Sequence, residues 1–334
     1  MDGVYIYHIA FLLAGGMAFL SGNSIKFGSI SIKSSLGLVL SFFVIILLTA
    51  TRHYVGTDYE NYVAIFRIAQ SVGSYKFTEP GYFFLNKLFV AYENGYRIVL
   101  FIFAFSTYAL FFFVAIRERV TRYFVPFLFG FGFIFFSNNI VRQSFTIGLF
   151  YYALGYLVER RFFPYLIISL FGALIHMSAL LLIPLCWLLN LRFSKFFWAI
   201  AILGSVVAFK FNVFNSIFHL IAKLFPKYYS ILNSISPDND GLGLTLYFLI
   251  IMGYVVLLFS RHLPLQDKTG QVFLKVFMIG ICLSIMVFSS EYFYRLTFYF
   301  FFSIVFLVPK IINSIPSKLN KTLSFLLFFV CVNS

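Results

Sequence analysis

Residues 35–50 read SLGLVLSFFVIILLTA, and residues 51–62, which follow directly, read TRHYVGTDYENY. The first stretch carries no charge and has close to the length that a helix needs to cross a hydrocarbon layer about 30 Å thick. The second crowds Arg52, Asp58, Glu60 and a turn glycine, Gly56, into twelve residues. A helix that ends near Ala50 and opens at once into charge reads as a membrane span reaching its surface. Ionisable residues beside lipid are costly to keep, so such a cluster marks a candidate site.

Outward from that junction the composition agrees. Hydrophobic residues make up 61% of the 334-residue chain and charged residues 11%, with mean hydropathy +0.95; a soluble domain carries about 25% charged residues. Apolar segments predict helices over 4–20, 35–50, 96–116, 124–137, 144–158, 163–175, 178–190, 196–212, 243–260, 271–289, 292–309 and 319–332. The fold class expected is an all-α polytopic integral membrane protein with about 11–12 transmembrane helices. No basic start or small-residue cleavage site accompanies the first apolar segment, so it reads as a helix that is retained. No Pro/Gly/Ser-rich linker and no internal repeat divides the chain. The expected organisation is therefore one transmembrane domain over 1–334, with long outer loops near 51–95 and 213–242.

Lysine and arginine in short loops set orientation. Lys26, Lys33, Arg117, Arg119, Arg122, Arg160, Arg161, Arg192, Lys195, Arg261, Lys268, Lys310, Lys318 and Lys321 all face the cytoplasm only if residues 163–190 form two short helices turning near His176. One continuous helix would instead place Arg192 and Lys195 outside. The net charge of +14 is then mostly a topology signal, and nucleic acid is not an expected partner. Cys186, Cys282 and Cys331 lie in apolar segments and read as small core residues.

On this topology the isolated polar residues gather on the outer side. Arg52, Gly56, Asp58 and Tyr62 are followed by Glu79-Pro80-Gly81-Tyr82, which opens a short apolar segment over 82–92 that fits an interfacial or re-entrant helix. Asn138, Asn139, Arg142 and Gln143 precede the fifth helix; His176 and Ser178 mark the hairpin; Tyr228, Tyr229, Asp238 and Asp240 lie in loop 213–242; Glu291 and Arg295 open the eleventh helix, with Tyr299 beyond. Each has an ordinary explanation. Arg52 and Arg295 can snorkel to headgroups, Glu79 can answer a helix dipole, a single His is commonly a bonded core residue, and Asp238 and Asp240 fit turn chemistry. The 50 phenylalanines and 22 tyrosines are chiefly lipid-facing or core residues. Against that sum stands the coincidence of three arginines and several carboxylates, from separate loops, on one side. Arginine's planar fork binds phosphate bidentately and keeps its charge near lipid, which suits a lipid-linked phosphate or pyrophosphate.

The ordered set Arg52-x-x-x-Gly56-Thr57-Asp58-Tyr59-x-x-Tyr62, Glu79-Pro80-Gly81-Tyr82, Asn139-x-x-Arg142-Gln143, His176-x-Ser178 and Arg295 with Tyr299 resembles the EpsG-type polysaccharide polymerases, among them O-antigen polymerases of the Wzy kind. The resemblance runs from about residue 50 to residue 300. It implies a GT-C-like, multi-pass glycosyltransferase of the bacterial inner membrane, active on its periplasmic face. Such an enzyme moves a growing O-antigen or capsule glycan from undecaprenyl pyrophosphate to another lipid-linked repeat unit. It also implies a chain-length regulator protein as partner, beside the lipid-linked oligosaccharides and membrane lipid. Asp58, His176, Glu79 and Glu291 are then candidate bases, Asp58 and His176 foremost. Arg52, Arg142 and Arg295 are expected to meet the pyrophosphate, and Gly56, Gln143, Ser178 and Tyr62 to support them. No cofactor is expected. No cluster has clear metal-ligand spacing, so the arginines are expected in place of a metal, while the carboxylates of Asp58 and Glu60 leave a divalent ion open. The alternative class is a flippase for lipid-linked oligosaccharides. A transporter is expected to line its path with ionisable groups, and Lys275 alone lies well inside an expected span. A membrane acyltransferase is a third reading, for which His176 supplies little.

Overall fold

The computed structural model describes residues 4–21, 25–27, 30–32, 35–52, 55–56, 58–71, 78–214, 216–217, 243–317 and 322. Tyr228, Tyr229, Asp238 and Asp240, nearly all of the expected helix 319–332, and the side chain of Glu291 lie outside the described residues. The chain is helical and membrane-spanning in character. Gly95–Arg117, Leu244–His262, Lys268–Met286 and Phe293–Ser314 are each long and apolar enough to cross a bilayer, and shorter apolar helices accompany them. One small antiparallel pair of strands, Ile25–Phe27 with Ile30–Ile32, joins the first two helices.

Two compact units divide the chain at Cys186. The first contains α1 (Val4–Leu20), α2 (Ser35–Ala50), α3 (Tyr59–Ser71), α4 (Pro80–Leu88), α5 (Gly95–Arg117), α6 (Thr121–Gly130), α7 (Phe133–Asn139), α8 (Val141–Val158) and α9 (Phe162–Ile175). Their packing follows from where small residues let backbones meet. α1 and α2 run antiparallel: the Ser41 hydroxyl donates to the Ala14 carbonyl at 2.9 Å, and a Cβ on Gly37 would come within 2.6 Å of the Met17 carbonyl oxygen. α5 lies along α8 with Phe103 on Phe145 and Phe111 on Tyr151. Their far ends are pinned by Arg117, which donates to the carbonyls of Tyr152 and Tyr151 at 3.0 and 3.2 Å.

Residues 163–190 turn back at His176. The His176 backbone is extended, with φ −151° and ψ 111°, and ends α9. Beyond it the Tyr165 hydroxyl donates to the Leu182 carbonyl, seventeen residues along the chain, at 2.5 Å. In an unbroken helix those residues would stand about 25 Å apart. The expected second limb begins as a 3-10 segment, Met177–Leu182, before Leu185–Asn190.

Two further expectations are corrected and one is met. The span over 124–137 is two helices, because the chain takes the left-handed conformation at Gly132 (φ 74°). The span expected over 292–309 is present as Phe293–Ser314, long enough to cross a bilayer, with a turn at Phe302–Ser303 between Glu291–Phe301 and Ile304–Ser314. Loop 51–95 is largely helical: α3 turns Tyr59, Tyr62, Phe66 and Ala69 inward at helical spacing, and the segment expected over 82–92 starts earlier, at Pro80.

The first unit sorts its polar groups to two ends. Arg117, Arg119, Arg122, Arg160 and Arg161 occupy the turns after α5 and α8 and the start of α6. Arg142 and His176 lie at the opposite ends of α8 and α9, and Arg52, Asp58 and Glu79, at the ends of α2, α3 and α4, gather with them. Tyr59, Tyr62, Tyr82, Val99, Leu100, Phe103, Val141 and Ile175 form a buried aromatic and aliphatic floor beneath the second group.

In the second unit Lys195–Lys210, Leu244–Phe259, Glu291–Phe301 and Ile304–Ser314 pack on Lys268–Met286. Asp267 caps Lys268–Met286 by accepting from the Gly270 N–H at 2.9 Å, and both its oxygens receive Lys310 Nζ at 3.0 Å. Lys275, the ionisable residue expected inside a span, donates to the Leu189 carbonyl at 2.7 Å.

Gly37→Leu is expected to force α1 and α2 apart and to cost about 1–3 kcal/mol. Gly16→Leu faces open space and should be silent. Thermal unfolding of the two purified variants in detergent separates these outcomes; equal midpoints would show that the α1–α2 contact does not hold the unit.

Candidate active site

The site is built around Glu79. Pro80 at the first helical position sets the entry into α4 and lacks the N–H that would have no partner there. Gly81 brings α4 onto the end of α9, since a Cβ there would lie 2.8 Å from the Leu174 carbonyl oxygen. Tyr82, buried, anchors the turn in the aromatic floor. Glu79 is thereby delivered to His176 and Arg142, 97 and 63 residues away in sequence.

Each Glu79 oxygen is engaged. Oε2 pairs with Arg142 Nη1 and accepts from the Thr78 hydroxyl at 3.1 Å. Oε1 lies 3.2 Å from His176 Nδ1 and 3.3 Å from the Met177 N–H. Arg142 Nη1 also reaches Thr78 Oγ1 at 2.9 Å, and its guanidinium sits 5.0 Å above the Tyr82 ring. Burial alone would raise the Glu79 pKa, but the His176 hydrogen bond and the Arg142 charge outweigh it and bring it down to about 2. Glu79 is therefore a carboxylate at neutral pH and can only accept. Nδ1 of His176 therefore carries the shared proton, and in the neutral imidazole the lone pair lies on Nε2. Among the described residues nothing else bonds that ring.

A second cluster adjoins the first. Gly56 has φ 101°, and a Cβ there would fall 2.7 Å from Asn139 Oδ1 and 2.9 Å from the Asn138 carbonyl oxygen, so only glycine lets the loop lie on the α7–α8 turn. Tyr62 fixes that turn. Its hydroxyl donates to the Asn139 carbonyl at 2.9 Å and accepts from the Val141 N–H at 3.0 Å, one residue before Arg142. Its ring stands edge-on to Tyr82 with centroids 6.2 Å apart. Arg52 Nη1 donates to Asn138 Oδ1 at 2.7 Å, and Asn138 Nδ2 donates to the Tyr7 hydroxyl at 3.1 Å. The Arg52 Nε and Nη2 groups are buried with no hydrogen-bond partner among the described residues, and burial lowers the arginine's pKa from its ordinary value. Asp58 opens α3, half-buried, with Asn61 Nδ2 3.4 Å from its Oδ1.

Of the expected site residues, Arg52, Gly56, Asp58, Tyr62, Glu79, Arg142 and His176 thus lie along one linked path at one end of the first unit. Gln143 is buried within α8, and Ser178 is half-buried in the 3-10 segment. Arg295 stands half-buried on Glu291–Phe301 in the second unit, the helix that Glu291 opens. Thr78, Tyr7 and the Met177 N–H were not foreseen; only the adjacency of Thr78 to Glu79 carried a signal. Among the described residues no three His, Cys, Asp or Glu side chains gather as metal ligands.

A protein-family model described as the EpsG family matches residues 36–333, and the chain belongs to that family. No curated protein and no solved structure matches the chain. Membership makes the protein a multi-pass membrane protein of a polysaccharide-polymerase family.

Because the folded Glu79 pKa lies below its ordinary value of 4.5, its pairing stabilises the protein above that pH and ceases to do so as pH falls toward 2. Glu79→Gln should accordingly unfold at lower temperature than the parent at pH 7, with the gap closing between about pH 4.5 and the acid limit of the folded state. A gap independent of pH would show that the charge of Glu79 is not what holds the three loops.

Proposed function

We propose that this EpsG-family protein is a polysaccharide polymerase of the bacterial inner membrane. On its outer face it transfers a growing O-antigen or capsule glycan from undecaprenyl pyrophosphate to the terminal sugar of a second lipid-linked repeat unit. The observation that carries the reading is the Glu79–His176 contact beside Arg142, at the end of the unit opposite its arginine-rich turns. By the positive-inside rule those turns belong to the cytoplasm, which puts this end outside.

The acceptor hydroxyl attacks the anomeric carbon of the donor glycan. Its proton passes to His176 Nε2 as the new C–O bond forms. The bond from the anomeric carbon to pyrophosphate breaks, and that electron pair leaves with the lipid pyrophosphate. Glu79 holds the imidazole in the required tautomer and offsets the charge that develops on it, as carboxylates do behind catalytic histidines. A carboxylate with pKa near 2 is a poor base, so Glu79 is assigned to positioning. Arg142 has one nitrogen committed to Glu79 and Thr78 and presents its remaining donors to the leaving phosphates; Arg52 supplies a second cation. Asp58, hydrogen-bonded near the same loop, is the competing base. Arg295 and Glu291 are the second unit's candidates for phosphate and proton contacts. Lys275 donates to a backbone carbonyl, which favours surface chemistry over passage through the membrane.

His176→Ala is expected to reduce release of undecaprenyl pyrophosphate in a purified assay by roughly a hundred- to ten-thousand-fold, while Asp58→Asn keeps most of it. The reverse result transfers the base to Asp58. Arg142→Lys retains charge but loses the fork, so polymer in a complemented strain should shorten to few repeats, whereas Arg161→Lys, at an exposed position, leaves the ladder intact.

A further inference from the structure

α1 and α2 touch closely only at one end. Where Gly37 and Ser41 face Met17 and Ala14, no side chain keeps the backbones apart. Toward the other end the facing positions are Ile6, Ile9, Leu13, Val44, Leu47 and Leu48, and between them runs a groove of about 690 Å³. Its wall is almost wholly hydrocarbon, with Tyr7, Thr51 and Arg52 as the polar residues, and all three stand at one end. Arg52 is also the guanidinium whose Nε and Nη2 groups are buried without partners among the described residues. A void behind it beside Thr107, Tyr108 and Ser137, of about 10 Å³, has room for one water at most, so an anion can approach Arg52 only from the groove side.

We propose that this groove is the seat of the polyprenyl chain of the lipid pyrophosphate substrate, with its phosphates at Arg52. An apolar trough capped by a single underbonded arginine is complementary to a long hydrocarbon carrying an anionic head. Arginine's fork matches phosphate oxygens, and a partly desolvated cation gains more from an anion than an exposed one does. The Arg52–Asn138–Asn139–Tyr62–Val141 chain of contacts then leads from the lipid head to Arg142. Arg142 is already paired with Glu79 and belongs to the reacting centre; Arg52, with no carboxylate partner among the described residues, belongs to the lipid. The assignment rests on the polymerase reading and names where its substrate's tail lies.

The test uses the full-length protein in nanodiscs with a diazirine-bearing undecaprenyl pyrophosphate. Photolabel is expected on the peptides carrying α1 and α2. Unlabelled undecaprenyl pyrophosphate should displace it, and phosphatidylglycerol at the same concentration should not. Leu47→Trp, which fills the trough at an exposed position, and Arg52→Ala should each weaken labelling by about tenfold. Leu203→Trp, at an exposed position on Lys195–Lys210, should leave it unchanged. Label on other helices, equal displacement by phosphatidylglycerol, or insensitivity to Leu47→Trp overturns the groove. Glycan polymerisation is followed in parallel nanodiscs of each variant supplied with undecaprenyl pyrophosphate-linked repeat units. Turnover that survives without groove labelling sinks the groove alone, and groove labelling without any polymer sinks the proposed reaction alone.

Discussion

Everything at the charged end of the first unit depends on keeping one carboxylate ionised at the edge of a membrane. Glu79 is half-buried, and taking an unpaired carboxylate out of water is expensive enough that the group would sooner take up a proton. Arg142, His176, the Thr78 hydroxyl and the Met177 N–H remove that expense together. They come from the start of α4, the start of α8 and the end of α9, so the ionised state of Glu79 exists only when three separate chain reversals are in register. Ion pairs of this kind add little net stability over an apolar replacement. Their value here is specification: four donors aim at two oxygens, and alternative seatings of α4 against α9 would leave the carboxylate bare.

Arg52 and Arg142 illustrate how burial divides roles among residues that look alike in sequence. Arg142 is offset by Glu79 and lies over the face of Tyr82, so its charge is local and its plane fixed. Arg52 has a neutral amide as its hydrogen-bonded partner, and its Nε and Nη2 groups have none among the described residues. A cation so placed is destabilising until an anion arrives, which is the condition expected of a group that binds substrate and not of one that staples helices. By contrast Arg117, at the other end, spends its donors on the carbonyls of Tyr151 and Tyr152 and on Glu118. It locks α5 to α8 and has a structural account in full.

Much of this was legible before the structure. Polar residues are so rare in the apolar chain that Arg52, Asp58, Glu79, Arg142 and His176 stood out by contrast alone, and charge bias placed the reversal at His176. The partnerships were not legible. Glu79 meets groups 63 and 97 residues away, and hydropathy carries no information about which outer turn meets which. Helix α3 was hidden because Glu60, Asn61, Arg67 and Gln70 interrupt its apolar residues, which dilutes any window average. The break at Gly132 falls inside a hydrophobic run, where composition stays constant while the backbone changes course.

The aromatic floor explains why such a polar constellation can be held beside lipid without a soluble domain to support it. Tyr62 and Tyr82 each have a ring that packs downward into the apolar helices and face the charged residues above. Tyr62 uses its hydroxyl to close the Asn139–Val141 turn; Tyr82 offers its ring face to Arg142. Large rigid side chains lose few rotamers on burial and anchor the polar layer at several points. The turn before α8 is thereby held from below by Tyr62 and from the side by Gly56, so Arg142 enters the site from a backbone with little freedom. A sugar-phosphate substrate would meet a preorganised surface, in which the charges are set before it binds, and that arrangement is what electrostatic stabilisation of a departing pyrophosphate requires.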